Sequence, residues 1–320
     1  MRKKKAIIIG GSGQLGISLS HKLLNKNFEV LITTRDVKSA KKKFSLNNKN
    51  FKIIKLDILN KNKIKFLLHQ QKPQIIFYFA GQSSPSKSFL KKKITFQSNV
   101  EGCENFLKVI YEEKIKCKFV NASSCEIFDK NIKRISVNSK KNPISPYGNS
   151  KLISYNLTKY FRDKKKLKTY NAILFNTESI YRHKDYLIPK ICIAAINAKK
   201  YGKITYFGNL NISREWNWCD EQTEYLIKFI KKSPQDFILS NGKSFSAKQM
   251  IKFAFDYYKL DYKNYVRTHK KYLRKKDFLI KRSRHDLCLK RNNLTRKPKI
   301  YGKEIVYLII KNYEKRKRNL

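Results

Sequence analysis

The sequence predicts an α/β protein with a doubly wound parallel sheet. Two observations predict it: short apolar runs alternate with segments of helical periodicity, and glycine or polar residues stand at the carboxyl ends of the runs. In a doubly wound sheet, ligands bind beyond those ends. We therefore expect four such residues to converge on one site: Gly10, Gln82, Ser124 and Asn176.

Six apolar runs are predicted to form the strands of this sheet. In chain order they are Ala6–Ile9, Glu29–Thr33, Lys52–Leu56, Ile75–Phe79, Lys118–Ala122 and Asn171–Phe175. The helices predicted between them include Leu15–Leu24, Asn99–Tyr111 and Tyr147–Phe161. This alternation is typical of βαβ units, in which a helical crossover joins two parallel strands.

The second half of the chain has a less regular pattern and predicts a smaller lobe. Helices are predicted at Lys184–Lys200, Glu221–Lys231 and Ser246–Tyr258, and the last begins with a capping serine. Strands are predicted at Ile204–Phe207 and Phe237–Leu239.

Composition limits the class of protein. The chain has 320 residues, of which 41% are hydrophobic, enough for a sizeable core. No run of about 18 apolar residues occurs, so we expect no transmembrane helix. The apolar run at Ala6–Ile9 is too short for a signal peptide, and we expect a cytoplasmic protein. The six cysteines form no CxxC pair, which predicts reduced thiols and no metal site.

The formal net charge is +50. Because the basic residues are spread along the chain, we attribute this charge to compositional bias rather than to a nucleic-acid or membrane partner. A positive surface would still attract a small substrate that carries phosphate.

A glycine-rich loop follows the first predicted strand. Gly10, Gly13 and Gly16 form the pattern GxxGxxG directly before a predicted helix. Glycine lets the backbone turn tightly and approach a pyrophosphate, which then lies at the helix N-terminus. This context predicts a Rossmann-type dinucleotide-binding site.

The ends of the next strands bear on the choice of dinucleotide. Arg35 favours NADP, because an arginine there accommodates the ribose phosphate, whereas Asp36 leaves NAD as an alternative. Asp57 and Ile58 close the third strand beside the expected adenine. Ala80 closes the fourth, where the backbone passes near the cofactor.

Four residues predict the chemistry. Tyr147 and Lys151 are four apart and share one face of a helix, where the ammonium lowers the pKa of the phenol. A phenolate there takes a proton from a sugar hydroxyl while a nicotinamide takes the hydride. Glu126, two residues after Ser124, adds a second base that simple dehydrogenation does not need. Together they predict oxidation followed by elimination.

These motifs resemble the extended short-chain dehydrogenase/reductases and, within them, the GDP-mannose 4,6-dehydratases. The segments that carry the resemblance are GGSGQLG, FAGQS, NASSCEIF, SPYGNSK, ILFNTES, GNLNISREW and FILSNGKSFSAKQM. The last three discriminate better, because many nucleotide-sugar enzymes share the others. The resemblance implies conversion of GDP-mannose to GDP-4-keto-6-deoxymannose by C4 oxidation, loss of water across C5–C6 and hydride return to C6.

The resemblance also implies roles for individual residues. Ser124 would hydrogen-bond the reacting sugar hydroxyl and Glu126 would be the acid/base of the elimination. The further cofactor-binding residues that it implies are Gln14, Gln82, Ser83 and Arg182. The substrate-binding residues are Ser83, Ser124, Asn176, Lys190 and Arg214. Relatives of this kind form dimers or tetramers, so we expect a homo-oligomer.

The predicted organisation is a dinucleotide-binding domain over residues 1–176 and mainly a substrate-binding lobe over 177–320, with some segments returning to the first domain. Two departures from the family pattern stand out. Asp36 replaces a second arginine, and residues 281–286 lack the acid of an R-P-x-E pattern that helps to place the nucleotide.

Two alternatives remain open. The first keeps the fold but acts as a reductase or epimerase on another nucleotide-sugar, against which Glu126 argues. The second is a non-catalytic dinucleotide-binding protein with a basic, polyanion-binding surface. Against it stands the intact set of Ser124, Glu126, Tyr147 and Lys151.

Overall fold

The structure is a computed structural model that describes residues 3–44, 48–273, 282–295 and 298–318. The chain divides into two compact units. The first unit runs to Asp129 and continues over Val137–Leu174 and Gln222–Leu239. The second unit takes Lys130–Ser136, Phe175–Glu221 and the chain from Ser240 onward.

Both units mix strands and helices. The strands are β1 (Lys5–Ile9), β2 (Glu29–Thr34), β3 (Phe51–Lys55), β4 (Ile75–Tyr78), β5 (Lys118–Ser124), β6 (Arg134–Ile135), β7 (Lys168–Leu174), β8 (Thr177–Glu178), β9 (Thr205–Phe207), β10 (Ser213–Arg214), β11 (Asn217–Trp218), β12 (Asp236–Leu239), β13 (Phe245–Ser246), β14 (Val266–Thr268) and β15 (Arg282–Ser283). The helices are α1 (Gln14–Leu24), α2 (Val37–Lys41), α3 (Lys61–Gln71), α4 (Pro85–Leu90), α5 (Lys92–Phe96), α6 (Gly102–Glu112), α7 (Pro146–Asp163), α8 (Leu187–Tyr201), α9 (Cys219–Phe229), α10 (Ala247–Asp256), α11 (His285–Arg291) and α12 (Lys303–Arg318).

The first unit is built on a seven-stranded parallel sheet in the order β12-β7-β5-β4-β1-β2-β3. The predicted doubly wound fold is thus confirmed, and the six predicted strands are all in this sheet. The strand order reverses between β1 and β4, and ligands of such folds bind in the crevice beyond the strand ends at that point.

The seventh strand contains Phe237–Leu239, which the sequence predicts as a strand of the less regular second half. In the structure these residues belong to β12, which pairs with β7 at one edge of the large sheet. All three are buried, as expected for a parallel strand covered on both faces.

The second unit packs α8, α10 and α12 around an apolar cluster that contains Ile191, Trp216, Ile251 and Ile309. The predicted serine cap is confirmed, because Ser246 and the third helical residue of α10 form a reciprocal capping box. The described residues of this unit also form four two-stranded pairs: β10–β13, β11–β8, β14–β9 and β15–β6.

The six cysteines are free and buried. Across the described part of the chain, the helices fall short of the length and apolarity needed to cross a membrane.

Candidate active site

The glycine-rich loop lies at the point where the strand order reverses. Gly10 has a φ of +74°, and a Cβ there would lie 2.6 Å from the Cα of Ala80, so the loops after β1 and β4 touch. A Cβ on Gly16 would overlap the backbone of Gly11, so glycine lets α1 approach the loop. Gly13 precedes α1 without capping its first turn by a side chain. This helix N-terminus, reached by bare backbone, fits a dinucleotide pyrophosphate.

Two acidic side chains near the expected cofactor accept hydrogen bonds from backbone N–H groups two or three residues later in the chain. Asp36 accepts from the N–H of Ser39 at 2.9 Å and thereby caps α2. Asp57 accepts from the N–H of Leu59 at 3.0 Å and closes the turn after β3. Arg35, beside the first of these acids, is exposed at the end of β2.

The loop after β4 is stiffened by Gln82. Its side chain accepts from the N–H of Ser84 at 2.9 Å and donates to the carbonyl of the same residue at 2.8 Å. Ser83 lies exposed between them. Of the other predicted cofactor residues, Ile58 packs against the apolar cluster beneath the sheet and Gln14 lies partly buried at the start of α1.

Ser124 and Glu126 lie together at the carboxyl end of β5. The Ser124 hydroxyl accepts from the N–H of Glu126 at 3.2 Å and is itself largely buried. Glu126 sits in a 3₁₀ turn and is partly exposed. A carboxylate is thus placed directly after the strand end.

The start of α7 is anchored against this turn. Ser145 caps the helix by accepting from the N–H of Gly148 at 3.0 Å, and the N–H of Tyr147 donates to the Ser88 hydroxyl at 3.1 Å. A Cβ on Gly148 would lie 2.6 Å from the carbonyl oxygen of Glu126. The glycine therefore allows the helix that carries Tyr147 to lie directly against Glu126.

Lys151 follows Tyr147 by one turn of α7 and is buried. Its ammonium donates to the carbonyl of Ala122 at 2.8 Å, next to the end of β5. Burial disfavours the charged form and lowers the pKa of Lys151 to about 8.

Asn99 is a functional candidate that the sequence analysis did not assign. It lies in a π-helical turn, Gln97–Glu101, between α5 and α6, and such turns are frequent at functional sites. Its amide donates to the Ser150 hydroxyl at 2.9 Å and to the Gln82 carbonyl at 3.2 Å. Its buried Oδ1 has no hydrogen-bond partner within the described part of the chain. It lies against Gly81, where any Cβ would overlap it. An acceptor in this state fits a donor on a ligand.

Among the predicted residues of the second unit, Arg182 stacks on Tyr186, with its guanidinium carbon 3.6 Å from the ring centroid. Its Nε lies 3.8 Å from a carboxylate oxygen of Glu178. Burial raises the pKa of Glu178 to about 7, and the arginine opposes that rise.

Lys190 is held within its own unit. Its ammonium donates to the carbonyl of Tyr206 at 2.7 Å and lies over the rings of Phe207 and Tyr272, at 4.7 and 4.3 Å from their centroids. Burial lowers its pKa. The structure does not bring this lysine into the pocket described next.

The remaining two predicted substrate residues, Asn176 and Arg214, also make hydrogen bonds within the second unit. The carbonyl of Asn176 accepts from the backbone and side-chain N–H groups of Asn217. Arg214 is buried and donates to the carbonyl of Ser213 at 2.9 Å.

A basic pocket of about 350 Å³ opens in the second unit, and the sequence analysis did not identify it. Three cationic side chains from separate segments line it: Arg134, Lys243 and Arg282. The other lining residues are Gly242, Ser244, Phe245 and Ser283. We refer to these seven residues as the basic pocket.

Buried Glu215 joins two walls of the basic pocket. Its carboxylate accepts from the N–H and hydroxyl of Ser283, at 2.6 and 2.8 Å, and from the N–H of Gly242 at 3.2 Å. It also accepts from the Ser240 hydroxyl. These donors compensate the buried carboxylate, and Ser283 and Gly242 directly neighbour two pocket cations in the chain.

Solved structures with the same fold align with nearly the whole chain. A dTDP-glucose 4,6-dehydratase from Streptomyces venezuelae, DesIV, superposes with a TM-score of 0.85 at 16% identity, covering 98% of each chain. A UDP-glucose 4-epimerase from Thermotoga maritima gives 0.85 at 17% identity, covering 98% of this chain and 99% of the other. The chain therefore shares the fold of these two proteins, a Rossmann-type doubly wound parallel sheet.

The family is narrower than the fold. The family model described as GDP-mannose 4,6 dehydratase matches residues 7–299. GDP-mannose 4,6 dehydratase 1 of Arabidopsis thaliana is 26% identical over 330 aligned positions, covering 96% of this chain and 89% of the relative. The GDP-mannose 4,6-dehydratase of Vibrio cholerae serotype O1 is 27% identical, covering 78% and 71%. The chain belongs to the GDP-mannose 4,6-dehydratase family.

Proposed function

We propose that this protein is an NADP-dependent nucleotide-sugar 4,6-dehydratase that converts GDP-mannose to GDP-4-keto-6-deoxymannose. One observation carries the proposal: the carboxylate-bearing turn at Glu126 lies against the start of the helix that holds Tyr147 and Lys151. A dehydrogenase needs the tyrosine and lysine alone. A base beside them serves an elimination.

The cofactor site supports a nicotinamide dinucleotide. The glycine-rich loop fits its pyrophosphate, and the exposed Arg35 favours NADP, since the neighbouring Asp36 caps α2. When bound, the nicotinamide would accept a hydride from C4 of the sugar and later return it to C6.

Tyr147 is the proposed base of the oxidation. Its phenolate would take the proton of the C4 hydroxyl, while Ser124 holds that hydroxyl by a hydrogen bond. The Lys151 ammonium favours the phenolate by its charge. Asn99, through its buried Oδ1, would accept a hydrogen bond from the ligand or from a water beside Lys151.

Glu126 is the proposed acid/base of the elimination. The C4 ketone acidifies the C5 proton, which the carboxylate removes. The same proton then leaves with the C6 hydroxyl as water, so that Glu126 is ionised again. Tyr147 then releases to solvent the proton that it took from the C4 hydroxyl, and C5 takes one proton from solvent as the hydride returns to C6. In total, one water is lost and there is no net redox change.

We propose that the basic pocket, which lies within the second unit, binds the phosphate groups of a ligand. Arg134, Lys243 and Arg282 supply three positive charges, and arginine suits phosphate oxygens because of its planar fork of donors. Arg284 also stands in the segment where the family pattern has an acid. This replacement favours a second candidate, a dehydratase of the same mechanism that takes a different nucleotide.

The test is mass spectrometry of GDP-mannose incubated with the protein and NADP in deuterated water. Loss of one water with one solvent deuterium at C5 would support the proposal. Retention of the mass of the substrate, with deuterium absent, would contradict GDP-mannose as substrate. Repeating the incubation with UDP-, dTDP- and CDP-hexoses tests the second candidate. An epimerised product of unchanged mass, or net reduction with NADPH, would contradict the dehydratase mechanism itself.

A further inference from the structure

Lys43 lies beside the glycine-rich loop although it follows the first predicted strand by more than thirty residues. Its ammonium donates to the backbone carbonyl of Ser12 at 3.3 Å. Ser12 stands within the loop, between Gly11 and Gly13. An ammonium has three donors, and among the residues that the structure describes, the bond to Ser12 uses one of them.

The same serine connects Lys43 to the end of β2. The Ser12 hydroxyl and the Thr34 hydroxyl are 3.2 Å apart and hydrogen-bonded. Arg35 directly follows Thr34 and is exposed, as is Lys43. Lys43 is thus hydrogen-bonded to one member of this pair, and Arg35 follows the other member in the chain.

Packing holds the backbone of Lys43 in place. The next residue, Phe44, is buried, and its ring lies 4.8 Å from that of Phe51 and 6.2 Å from that of His21, measured between centroids. The N–H of Lys43 donates to the carbonyl of Ala40 at 2.9 Å. The lysine is thus anchored at its backbone while its head group remains open to solvent.

Asp36, the acid that follows Arg35 in the chain, caps a helix. Asp36 accepts the N–H of Ser39 as the cap of α2. An acid free to bind the ribose hydroxyls at this place would favour NAD, and an added positive charge favours a ribose phosphate. Lys43 supplies such a charge, since its ammonium is hydrogen-bonded to Ser12, whose hydroxyl is hydrogen-bonded to Thr34.

We infer that Lys43, together with Arg35, binds the ribose 2′-phosphate of an NADP-type dinucleotide and makes the site selective for it over NAD. This inference rests on the proposed function only in that the glycine-rich loop binds a dinucleotide. When the Lys43 ammonium donates to a phosphate dianion instead of the Ser12 carbonyl, its hydrogen bond is stronger because both partners are charged.

The experiment measures the dissociation constants of NADPH and NADH for the full chain by isothermal titration calorimetry at constant salt. Lys43→Met should weaken NADPH about tenfold, the loss of one hydrogen bond to a charged group, and leave NADH within about twofold. Lys43→Arg should keep the preference. The matched control is Lys41→Met, which removes an equal charge from the same exposed segment and should leave both constants within about twofold.

Three results would overturn the inference: an equal loss for both nucleotides in Lys43→Met, no loss for NADPH, or the same NADPH loss in Lys41→Met. The last would mean that general positive charge attracts the phosphate. A wild-type protein that binds neither nucleotide would instead overturn the cofactor part of the proposed function, so the two failures are distinguishable.

Discussion

The candidate site of the first unit and the basic pocket of the second are assembled in different ways. In the first unit, most of the polar side chains follow the end of a strand or lie in the first turns of a helix. Their places follow from short motifs such as the one that runs from Tyr147 to Lys151. In the second unit, the three pocket cations come from three distant segments. Buried Glu215 joins the segments of Lys243 and Arg282, and the segment of Arg134 pairs with that of Arg282. The residues proposed for the reaction are thus locally encoded, whereas the basic pocket depends on long-range packing.

The largest expected effect is that of Glu126→Gln in the first unit. The amide cannot accept the C5 proton, so water loss should fall about a thousandfold, within the range for a general base. Hydride transfer from C4 should persist. It can be measured with substrate deuterated at C4, as transfer of the deuterium to NADP. Tyr147→Phe is the control that should lose both steps. Water loss at the normal rate in Glu126→Gln would contradict the assignment.

Glu215→Ala tests the second unit. Removal of this buried carboxylate leaves the N–H groups of Gly242 and Ser283 unpaired, so we expect a loss of about 3 kcal/mol in the free energy of unfolding. Urea denaturation measures it. GDP affinity should fall as well, while NADPH affinity should stay within about twofold. Unchanged stability would show that the carboxylate does not hold the walls of the basic pocket.

Lys151→Met should stabilise the protein although it abolishes activity. The folded pKa of about 8 lies below the unfolded value of about 10.4, so the buried charge destabilises the native state at pH 7. The variant should gain about 2 kcal/mol in the free energy of unfolding. The gain is not larger because the variant also loses the hydrogen bond to the Ala122 carbonyl.

The pH dependence of the free energy of unfolding distinguishes the removal of a buried charge from an improvement in apolar packing. Between pH 8 and pH 10.4 the unfolded chain binds more protons at Lys151 than the native chain does, so wild-type stability rises with pH through that window. The advantage of Lys151→Met should therefore shrink by more than half at pH 9.5 in urea denaturation. A constant advantage at pH 7 and pH 9.5 would contradict the titration of Lys151.

Gly148→Ala should have the smallest effect of the four. The added methyl group would lie 2.6 Å from the Glu126 carbonyl and should shift the start of α7, lowering kcat about tenfold. Asn149→Ala, exposed on the same helix, is the matched control and should keep full activity. Comparable kcat values for the two variants would show that close contact between the helix and Glu126 is not required.

Local patterns were sufficient for much of the first unit. The six predicted strands, the serine cap of α10 and the placement of the glycine-rich loop between β1 and α1 are confirmed, since each depends on neighbours within a few residues. Asn99 could not be assigned in this way. Its importance depends on a π-helical turn and on Gly81 and Ser150, which lie far from it in the chain.

By itself, then, the sequence determined the fold class, the family and the residues proposed for the chemistry, because periodicity and short motifs act over one strand, one turn or one helix. Only the tertiary structure decided that β12 joins the large sheet, that Asp36 caps a helix, that Lys43 reaches the glycine-rich loop and that Arg134, Lys243 and Arg282 share a pocket. Each of these depends on the pairing or packing of segments far apart in the chain. The free energy of such contacts comes from the surface buried and the hydrogen bonds made between the segments, which no local pattern records.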